Sequence, residues 1–200
     1  MLSVQEAYDK IAEDFKNTRI YTWKWTDKFI NNLDKNSLIL DIGSGNGRNT
    51  IYKDHTIFGL DISLNQLLMN NNTNKLDIQS DMTCLPFKNN IFDSIILIAS
   101  FHHLKTIQER NECLKEIKRV IKKDGKILLS VWSINQPKKT KRIFLNYGDN
   151  YVEWNNPQKT LKISRYYYIF ELNELKTLLS SYFTILEYKW DCGNEIFILS

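Results

Sequence analysis

The sequence predicts an α/β fold with a mostly parallel β-sheet, and three features of the chain indicate it. Short apolar runs at 37–42, 92–100 and 126–132 are typical of parallel strands, which are covered on both faces. Segments with apolar residues at helical spacing lie between these runs. Two strand-like segments near the C-terminus, 183–191 and 194–200, predict a closing antiparallel hairpin. Strands that alternate with helices are typical of a sheet with helices on both faces.

The chain begins with two predicted helices and continues as alternating strands and helices. Residues 3–18 carry apolar side chains at helical spacing, with Ser3 as the N-cap and Glu6 three residues later. The remaining predicted elements, in chain order, are a helix at 23–33, a strand at 37–42, a short helix, a strand at 56–63, a helix at 64–72, a strand at 75–81, a strand at 92–100, a helix at 106–125 that ends at Gly125, a strand at 126–132 and a helix at 171–182.

Composition predicts a single cytoplasmic domain. The chain has 200 residues, of which 42% are hydrophobic, and this is enough for one sizeable core. No apolar stretch reaches the roughly 18 residues that span a bilayer, and no charged-then-apolar leader opens the chain. The three cysteines are scattered, with no CxxC pair and no His/Cys cluster. We therefore expect no metal site, no disulfide and a reducing, cytoplasmic environment.

Positive charge is concentrated in one segment of the chain. The net charge is +4, but residues 105–142 contain 12 Lys and Arg against 4 Asp and Glu. Charge runs of this kind usually form a solvated face. The compact stretch at 136–142 is also typical of loops that neutralise phosphates. Both interpretations stay open at this point.

Three glycines follow the first predicted strand. Gly43, Gly45 and Gly47 are spaced GxGxG, whereas a dinucleotide fingerprint has its third glycine one position later. No GK[ST] follows, which excludes a Walker-type phosphate loop. Ligands of open α/β sheets bind at the carboxyl ends of the strands, where these glycines lie. A tight strand-to-helix turn is the alternative explanation.

Acidic residues at the ends of three predicted strands narrow the ligand class. Asp61 ends the second strand, where a carboxylate can accept hydrogen bonds from a ribose diol. Asp41 precedes the glycines, and Asp81 ends the third strand. Three carboxylates beside a glycine turn suit a ligand with a ribose, an amino group and a positive charge. S-adenosylmethionine has all three.

From residue 37 to residue 132 the chain resembles the class I S-adenosylmethionine-dependent methyltransferases. The resemblance lies in the stretches LDIGSGNG, GLDIS, SDMTCLPF, FDSIILIASFHHL and EIKRVIKKDGKILLSVW. It implies a Rossmann-like fold with a mostly parallel seven-stranded sheet and a C-terminal antiparallel hairpin. It also implies that the glycine turn passes under the methionine part, that Asp61 holds the ribose, and that Asp81 and Met82 bracket the adenine. The predicted cofactor-binding residues are Asp41, Gly43, Gly45, Gly47, Asp61, Ile62, Asp81, Met82 and Ala99.

The flanking segments resemble the eukaryotic-type tRNA wobble-uridine carboxymethyl methyltransferases. The similarity lies in YDKIAEDFKNTRIYTWKW, FHHLKTIQERNECLKEIKRV, LLSVWSINQP and SRYYYIFELNEL, and it covers nearly the whole chain. The chain departs from the family at Tyr21, which comes one residue late, at Tyr168, where His is usual, and at Ser133, where Ala is usual. The resemblance implies esterification of a 5-carboxymethyl group on the anticodon uridine.

This resemblance divides the single domain, 1–200, into four parts. We expect N-terminal helices on the substrate side at 1–36, a cofactor-binding core at 37–132, an insertion that contacts substrate or tRNA at 133–170, and a C-terminal helix and hairpin at 171–200.

The predicted acceptor is a carboxylate, which is ionised at neutral pH and needs no general base. It needs positioning, and an Arg fork pairs bidentately with a carboxylate. Arg19 and Arg165 are the candidates for this contact, and His103 is predicted to face the transferred methyl, with His102 as the alternative. The simpler explanations are a surface ion pair for Arg19, a helix or turn contact for Arg165 and a strand-end hydrogen bond for the histidine.

Aromatic and basic residues are the predicted contacts to RNA. Trp132 and Tyr166 are candidates to stack on an extruded uridine, although aromatic residues in strands are more often part of the core. The basic residues predicted to contact anticodon-stem phosphates are Lys138, Lys139, Lys141 and Arg142.

The resemblance also implies a small zinc-binding activator subunit. Its predicted docking site is the third strand, near 75–81, because that strand is an exposed edge in the class I strand order. Two other functions are weighed beside this one. They are a methyltransferase for a small carboxylic acid or other metabolite, and a non-catalytic protein that binds the cofactor and serves as a scaffold.

Overall fold

The computed structural model describes residues 2–18, 21–73, 75–138, 140, 143–156 and 158–200. The described helices are α1 (Val4–Lys16), α2 (Lys24–Asn31), α3 (Leu64–Leu68), a 3-10 turn (Phe101–His103), α4 (Ile107–Val120) and α5 (Leu172–Ser180). The described strands are β1 (Leu38–Ile42), β2 (Thr56–Asp61), β3 (Leu76–Gln79), β4 (Phe92–Ile98), β5 (Ile121–Trp132), β6 (Gly148–Asn155), β7 (Lys162–Ile169), β8 (Ile185–Asp191) and β9 (Asn194–Leu199).

Seven strands form one sheet in the order β3-β2-β1-β4-β5-β9-β8. Strands β1 to β5 pair in parallel, whereas β9 pairs antiparallel with β5 and with β8. This confirms the predicted α/β fold with a C-terminal antiparallel hairpin. β1 pairs with β2 on one side and with β4 on the other, so the strand order reverses there. Ligands of open α/β sheets bind outside the carboxyl ends of the strands at such a reversal.

Helices pack on both faces of the sheet. On one face, Cys113, Leu114 and Ile117 of α4 join the larger buried cluster with Leu175 and Leu179 of α5. On the other face, α2 buries its apolar side against β1, β2 and β4. Since both faces are covered, the central strands are apolar along most of their length, as their sequences predicted.

Two predicted helix features are wrong. Residues 43–50 form turns and not a short helix, because Gly43, Gly45 and Gly47 all have positive φ angles, of 72°, 56° and 73°. Helix α4 ends at Val120, five residues before Gly125, since β5 already begins at Ile121, which pairs with Phe92 of β4.

A second sheet lies apart from the main one. Strands β6 and β7 pair antiparallel from Gly148↔Ile169 to Asn155↔Lys162. Sequence analysis named the stretch 164–170 for its resemblance but assigned no strand at 148–155. Helix α1 packs on this sheet through Ala7 and Ile11, which contact Ile163 of β7.

Helix α1 is also held at its start and against α3. Ser3 and Glu6 form the predicted capping box, in which each side chain bonds the backbone N–H of the other residue. Asp9 accepts hydrogen bonds from the Ser63 hydroxyl at 2.5 Å and from the Asn65 backbone N–H at 3.2 Å. The helix thereby lies across the carboxyl end of the main sheet and presents Tyr8 to the cavity described next.

Candidate active site

A cavity of about 760 Å³ opens at the carboxyl ends of β1, β2, β4 and β5, under helix α1. Its lining residues include two groups, which we call the cofactor half and the acceptor half. The cofactor half consists of Gly43, Gly45, Asp61, Ile62, Asp81, Met82 and Ala99. The acceptor half consists of Tyr8, His103, Trp132, Arg165 and Tyr167.

Three glycines shape the turn after β1 for different reasons. A Cβ on Gly43 would lie 2.4 Å from Cβ of Ser100, and one on Gly47 would lie 2.3 Å from the side chain of Asn70. These two positions are therefore small because the protein itself approaches them. At Gly45 the atom nearest to such a Cβ, Gln66 Oε1, is 3.7 Å away, which leaves this backbone open to the cavity. Gly47 does not line the cavity.

Asp61 joins the turn after β1 to the start of α3. Its Oδ2 accepts a hydrogen bond from the Gly45 N–H and its Oδ1 from the Ser63 N–H, both at 2.9 Å. Burial raises the pKa of Asp61 to about 6, against the opposing effect of these backbone bonds. A carboxylate has about four lone-pair sites, so this side chain keeps acceptor capacity for two hydroxyl groups.

Asp41 lies behind the glycine turn and does not line the cavity. Its Oδ2 accepts a bond from Asn49 Nδ2 at 3.3 Å, whereas its Oδ1 has no partner among the described residues. Burial raises the pKa of Asp41 to about 7. The sequence predicts that this carboxylate contacts the cofactor directly, but in the structure it is buried behind the turn. Asn49, its partner, lines the cavity instead.

The other predicted cofactor residues line the cavity. Asp81 Oδ1 accepts bonds from the backbone N–H and the hydroxyl of Thr83, both at 2.8 Å. Ala99 directly follows β4 and has a φ angle of 53°, an uncommon left-handed conformation for a residue with a Cβ. An open glycine backbone, a carboxylate with spare acceptor sites and a second carboxylate nearby fit the amino-acid, ribose and adenine parts of S-adenosylmethionine.

His103, and not His102, faces the cavity. Its Nδ1 lies 2.7 Å from the Tyr166 carbonyl oxygen and its Nε2 lies 2.9 Å from the Tyr8 hydroxyl. Burial, together with the charge of Arg165, lowers the pKa of His103 to about 3, so the ring is neutral at pH 7. His102 is fully buried, and its Nδ1 accepts a bond from the Trp132 N–H at 3.0 Å.

Arg165 is a buried cation that faces the cavity, with 5% of its surface exposed. Its Nη1 donates to the Tyr8 hydroxyl oxygen at 3.3 Å, and its guanidinium carbon lies 5.4 Å from the centre of the Tyr167 ring. Among the described residues, no carboxylate lies within 4.0 Å of it and its Nε has no hydrogen-bond partner. The other predicted arginine, Arg19, lies outside the described residues.

Two aromatic rings form one wall of the acceptor half. Trp132 and Tyr167 are stacked, with ring centres 4.3 Å apart and planes 8° from parallel. Tyr166, the other predicted stacking residue, does not line the cavity, and its hydroxyl donates to Asp149 Oδ1 at 2.6 Å. Side chains of a strand alternate between its faces, so Arg165 and Tyr167 lie on one face of β7 and Tyr166 lies on the other.

The basic loop is described in part. Lys138 is exposed and does not line the cavity, whereas Lys139, Lys141 and Arg142 lie outside the described residues. Within the described part of the chain, no group of three or more His, Cys, Asp or Glu side chains could hold a metal ion. No described helix has the length and apolar character needed to cross a membrane.

Two residues of the acceptor half, Tyr8 and Tyr167, are not predicted from the sequence. Tyr167 could have been found from strand alternation, since it is two residues from Arg165. In the sequence Tyr8 belongs to the helical spacing of apolar residues in α1, and nothing local indicates a separate role for its hydroxyl.

Comparison with known proteins identifies the family of this chain. A family model described as a methyltransferase domain matches residues 40–129. A tRNA (carboxymethyluridine(34)-5-O)-methyltransferase from Schizosaccharomyces pombe is 30% identical over 213 residues, which cover 96% of this chain and 92% of that protein. The chain belongs to the family of this Schizosaccharomyces pombe methyltransferase. The corresponding alkbh8 protein of Xenopus tropicalis is 35% identical over 71% of this chain, but the match covers 23% of that longer protein.

Solved structures show the same fold for this methyltransferase. The PH0226 protein of Pyrococcus horikoshii superposes with a TM-score of 0.71 at 19% identity, over 98% of this chain and 96% of that one. A methyltransferase from Burkholderia thailandensis, solved with S-adenosylhomocysteine, has a TM-score of 0.66 at 18% identity, over 98% of this chain and 84% of that one. The protein is an S-adenosylmethionine-dependent methyltransferase.

Proposed function

We propose that this methyltransferase esterifies the carboxylate of 5-carboxymethyluridine at the wobble position of tRNA, giving the methyl ester. The observation that carries the proposal is Arg165, a buried cation that faces the cavity and has no anionic partner among the described residues. A buried charge is costly unless it is paired, so such an arginine favours an anionic ligand. The names of the relatives from Schizosaccharomyces pombe and Xenopus tropicalis supply the nucleoside.

The cofactor half would hold S-adenosylmethionine. We assign Asp61 to the ribose hydroxyls, Asp81 and Met82 to the adenine, and the open backbone at Gly45 to the methionine part. Asp41 would act from behind the turn, through Asn49. When bound, the cofactor supplies a methyl group on a sulfonium, which is electrophilic without further activation.

The acceptor half would bind and orient the carboxylate. A carboxylate is deprotonated at neutral pH, so this chemistry requires alignment at near-attack distance and no proton transfer. The neutral state of His103 is consistent with that requirement, because both of its ring nitrogens already have partners. Arg165 can pair with the carboxylate through its fork. Arg19 stays a candidate for a second contact.

Trp132 and Tyr167 would form the surface against which the extruded uridine lies. RNA loops are commonly bound by stacking of their unpaired bases on aromatic side chains. The two rings are already stacked on each other, so the wall is rigid before RNA binds. The basic residues Lys138, Lys139 and Arg142 are proposed to contact stem phosphates, which requires no base-specific geometry.

The proposed partner is a small zinc-binding activator that docks on β3. Two observations support this surface, and a third supports the kind of partner. β3 ends the sheet and pairs with β2 alone among the described strands. The exposed apolar side chains Leu64, Leu68 and Leu76 lie on α3 and β3. A methyltransferase of the same fold, at 14% identity and a TM-score of 0.66, was solved with the Trm112 activator of Haloferax volcanii. We also propose a cytoplasmic location, which suits three unpaired cysteines.

The test is methyl transfer to tRNA that carries 5-carboxymethyluridine, with and without a co-expressed activator, followed by mass spectrometry of the nucleosides. We expect the methyl ester in the tRNA sample and none with the free nucleoside or with small carboxylic acids. Esterification of small acids without any tRNA dependence would favour the metabolite methyltransferase. Absence of the ester at saturating cofactor, with activator present, would reject the proposal.

A further inference from the structure

We propose that Tyr8 is a positioning residue, which holds Arg165 in the orientation that receives the acceptor carboxylate. This inference rests on the proposed function and adds a residue to which the sequence assigned no role. It follows from the direction of each hydrogen bond around Tyr8, Arg165 and His103.

The tautomer of His103 fixes the direction of its hydrogen bond with Tyr8. Its Nδ1 lies 2.7 Å from the Tyr166 carbonyl, and a carbonyl oxygen can only accept, so Nδ1 carries the proton. The ring is neutral, because its pKa is lowered to about 3 by burial and by Arg165. Nε2 is therefore an acceptor, and the Tyr8 hydroxyl at 2.9 Å must donate its proton to it.

The remaining lone pairs of the Tyr8 oxygen then act as acceptors. Arg165 Nη1 donates to this oxygen at 3.3 Å, and the Tyr167 hydroxyl lies at the same distance. Each bond has one possible direction, from the guanidinium through Tyr8 and His103 to a backbone carbonyl. The chain cannot reverse, because its last acceptor has no proton to give.

The chemical identity of Tyr8 matters as much as its position. A carboxylate in its place would pair with Arg165 and would compete with the substrate for the charge. The phenol oxygen is a neutral acceptor, which binds one nitrogen of the guanidinium through a long hydrogen bond and leaves its charge uncompensated. Arg165 is thereby oriented without being neutralised.

Tyr8 is itself held by the cofactor side of the molecule. Its backbone carbonyl accepts a bond from Gln66 Nε2 at 3.2 Å, and its neighbour Asp9 bonds Ser63 and Asn65. Its ring packs edge-on against Phe15, with centres 5.5 Å apart. The hydroxyl is therefore fixed relative to α3, and Tyr8→Phe removes the hydroxyl while keeping this packing.

The consequence is a preference for an acid over the corresponding amide. A carboxylate offers two acceptor oxygens to the guanidinium fork, whereas an amide offers one and places an N–H group against the other donor. This discrimination requires the fork to be held in place. Tyr8→Phe is expected to reduce the preference by several-fold and to leave cofactor affinity within twofold of wild type.

The experiment compares two anticodon stem-loop RNAs, which carry 5-carboxymethyluridine or 5-carbamoylmethyluridine. Affinities of both RNAs are measured for wild type, Tyr8→Phe and the matched control Tyr182→Phe, each saturated with S-adenosylhomocysteine and with the co-expressed activator present. The control removes a hydroxyl that bonds Asn111 Oδ1 at 2.9 Å, outside the cavity. The ratio of the two affinities is expected to fall in Tyr8→Phe and to hold in Tyr182→Phe. An unchanged ratio in Tyr8→Phe, beside a clear acid preference in wild type, would overturn the inference.

Nitrogen-15 spectra of the His103 ring test the bonds without any RNA. The wild-type ring is expected to show a protonated Nδ1 and a hydrogen-bonded Nε2, and the Nε2 signal is expected to move in Tyr8→Phe alone. A proton on Nε2 in wild type would refute the chain of bonds. If wild type prefers neither RNA and yields no ester, the proposed function fails, and these spectra still decide whether Tyr8 donates its proton to His103.

Discussion

The two halves of the cavity are built in opposite ways. The cofactor half comes from residues 43–99 and uses backbone groups and acids at the ends of neighbouring strands. The acceptor half draws Tyr8, His103, Trp132, Arg165 and Tyr167 from distant parts of the chain and uses aromatic and basic side chains. A cofactor common to many enzymes can be bound by a local motif, whereas a particular acceptor requires side chains that the whole fold brings together.

The largest expected effect separates the two halves at Arg165. Arg165→Met keeps much of the side-chain length but removes the cation, and we expect methyl transfer to tRNA to fall by about 100-fold or more, as when an oriented charge-binding donor is lost. Cofactor affinity should stay within twofold, measured by calorimetry. Equal losses of methyl transfer and of cofactor affinity would mean that the halves are not separable.

Asp61→Asn is the converse test. Hydrogen bonds to a charged acceptor contribute about 1.5–3 kcal/mol, so cofactor affinity should fall by about 10- to 100-fold. Affinity for the anticodon stem-loop RNA should hold, as measured by fluorescence anisotropy. Asp54→Asn, at an exposed position outside the cavity, is the matched control. A comparable loss of cofactor affinity in Asp54→Asn would show that the effect is not specific to the site.

Cofactor binding should also depend on pH. Asp61 has a pKa of about 6 when buried, and its ionised form is the better acceptor for ribose hydroxyls. Protonation therefore competes with the cofactor, and affinity should fall as the pH drops below about 6. Calorimetry between pH 5 and pH 8 measures this, and Asp61→Asn should flatten the acid part of the profile. A profile in Asp61→Asn as steep as in wild type would assign the titration to another group.

The smallest expected effect lies outside both halves. Lys138→Gln should weaken tRNA binding equally for all sequences and reduce the slope of log affinity against log salt by about 0.7 to 0.9 if one phosphate contact is lost. Anisotropy titrations at four salt concentrations measure the slope, and cofactor affinity should not change. A slope identical to that of wild type would place Lys138 in a solvated face and away from the RNA.

The contrast between the halves also explains what the sequence could predict. The strands, the hairpin and the cofactor-half residues Gly45, Asp61 and Asp81 follow from local patterns, because each pattern lies within one strand and its turn, whereas the order of the strands came from the resemblance. Asp41 and Gly47 fit the same pattern but lie behind the cavity, since a motif does not state which side of a turn faces the ligand.

The acceptor half was predicted less completely. Arg165, His103 and Trp132 were named from a resemblance, and the structure brings them together. The sequence predicts Tyr166 and not Tyr167 as the stacking residue. No strand is assigned to this stretch, so the alternation of side chains between the two faces of a strand cannot be applied. Tyr8 depends on how α1 packs between α3 and β7, and a contact across 157 positions of the chain leaves no local signal.

The attachment of α1 has a consequence for the stability of this region. The helix covers the cavity and is held by α3 on one side and by β7 on the other. Any ligand that binds under it must raise the free energy of its local detachment from the fold, by linkage. Amide hydrogen exchange in residues 4–16 should therefore slow when S-adenosylmethionine binds and slow again when RNA follows. The first helix thus reports the occupancy of both halves.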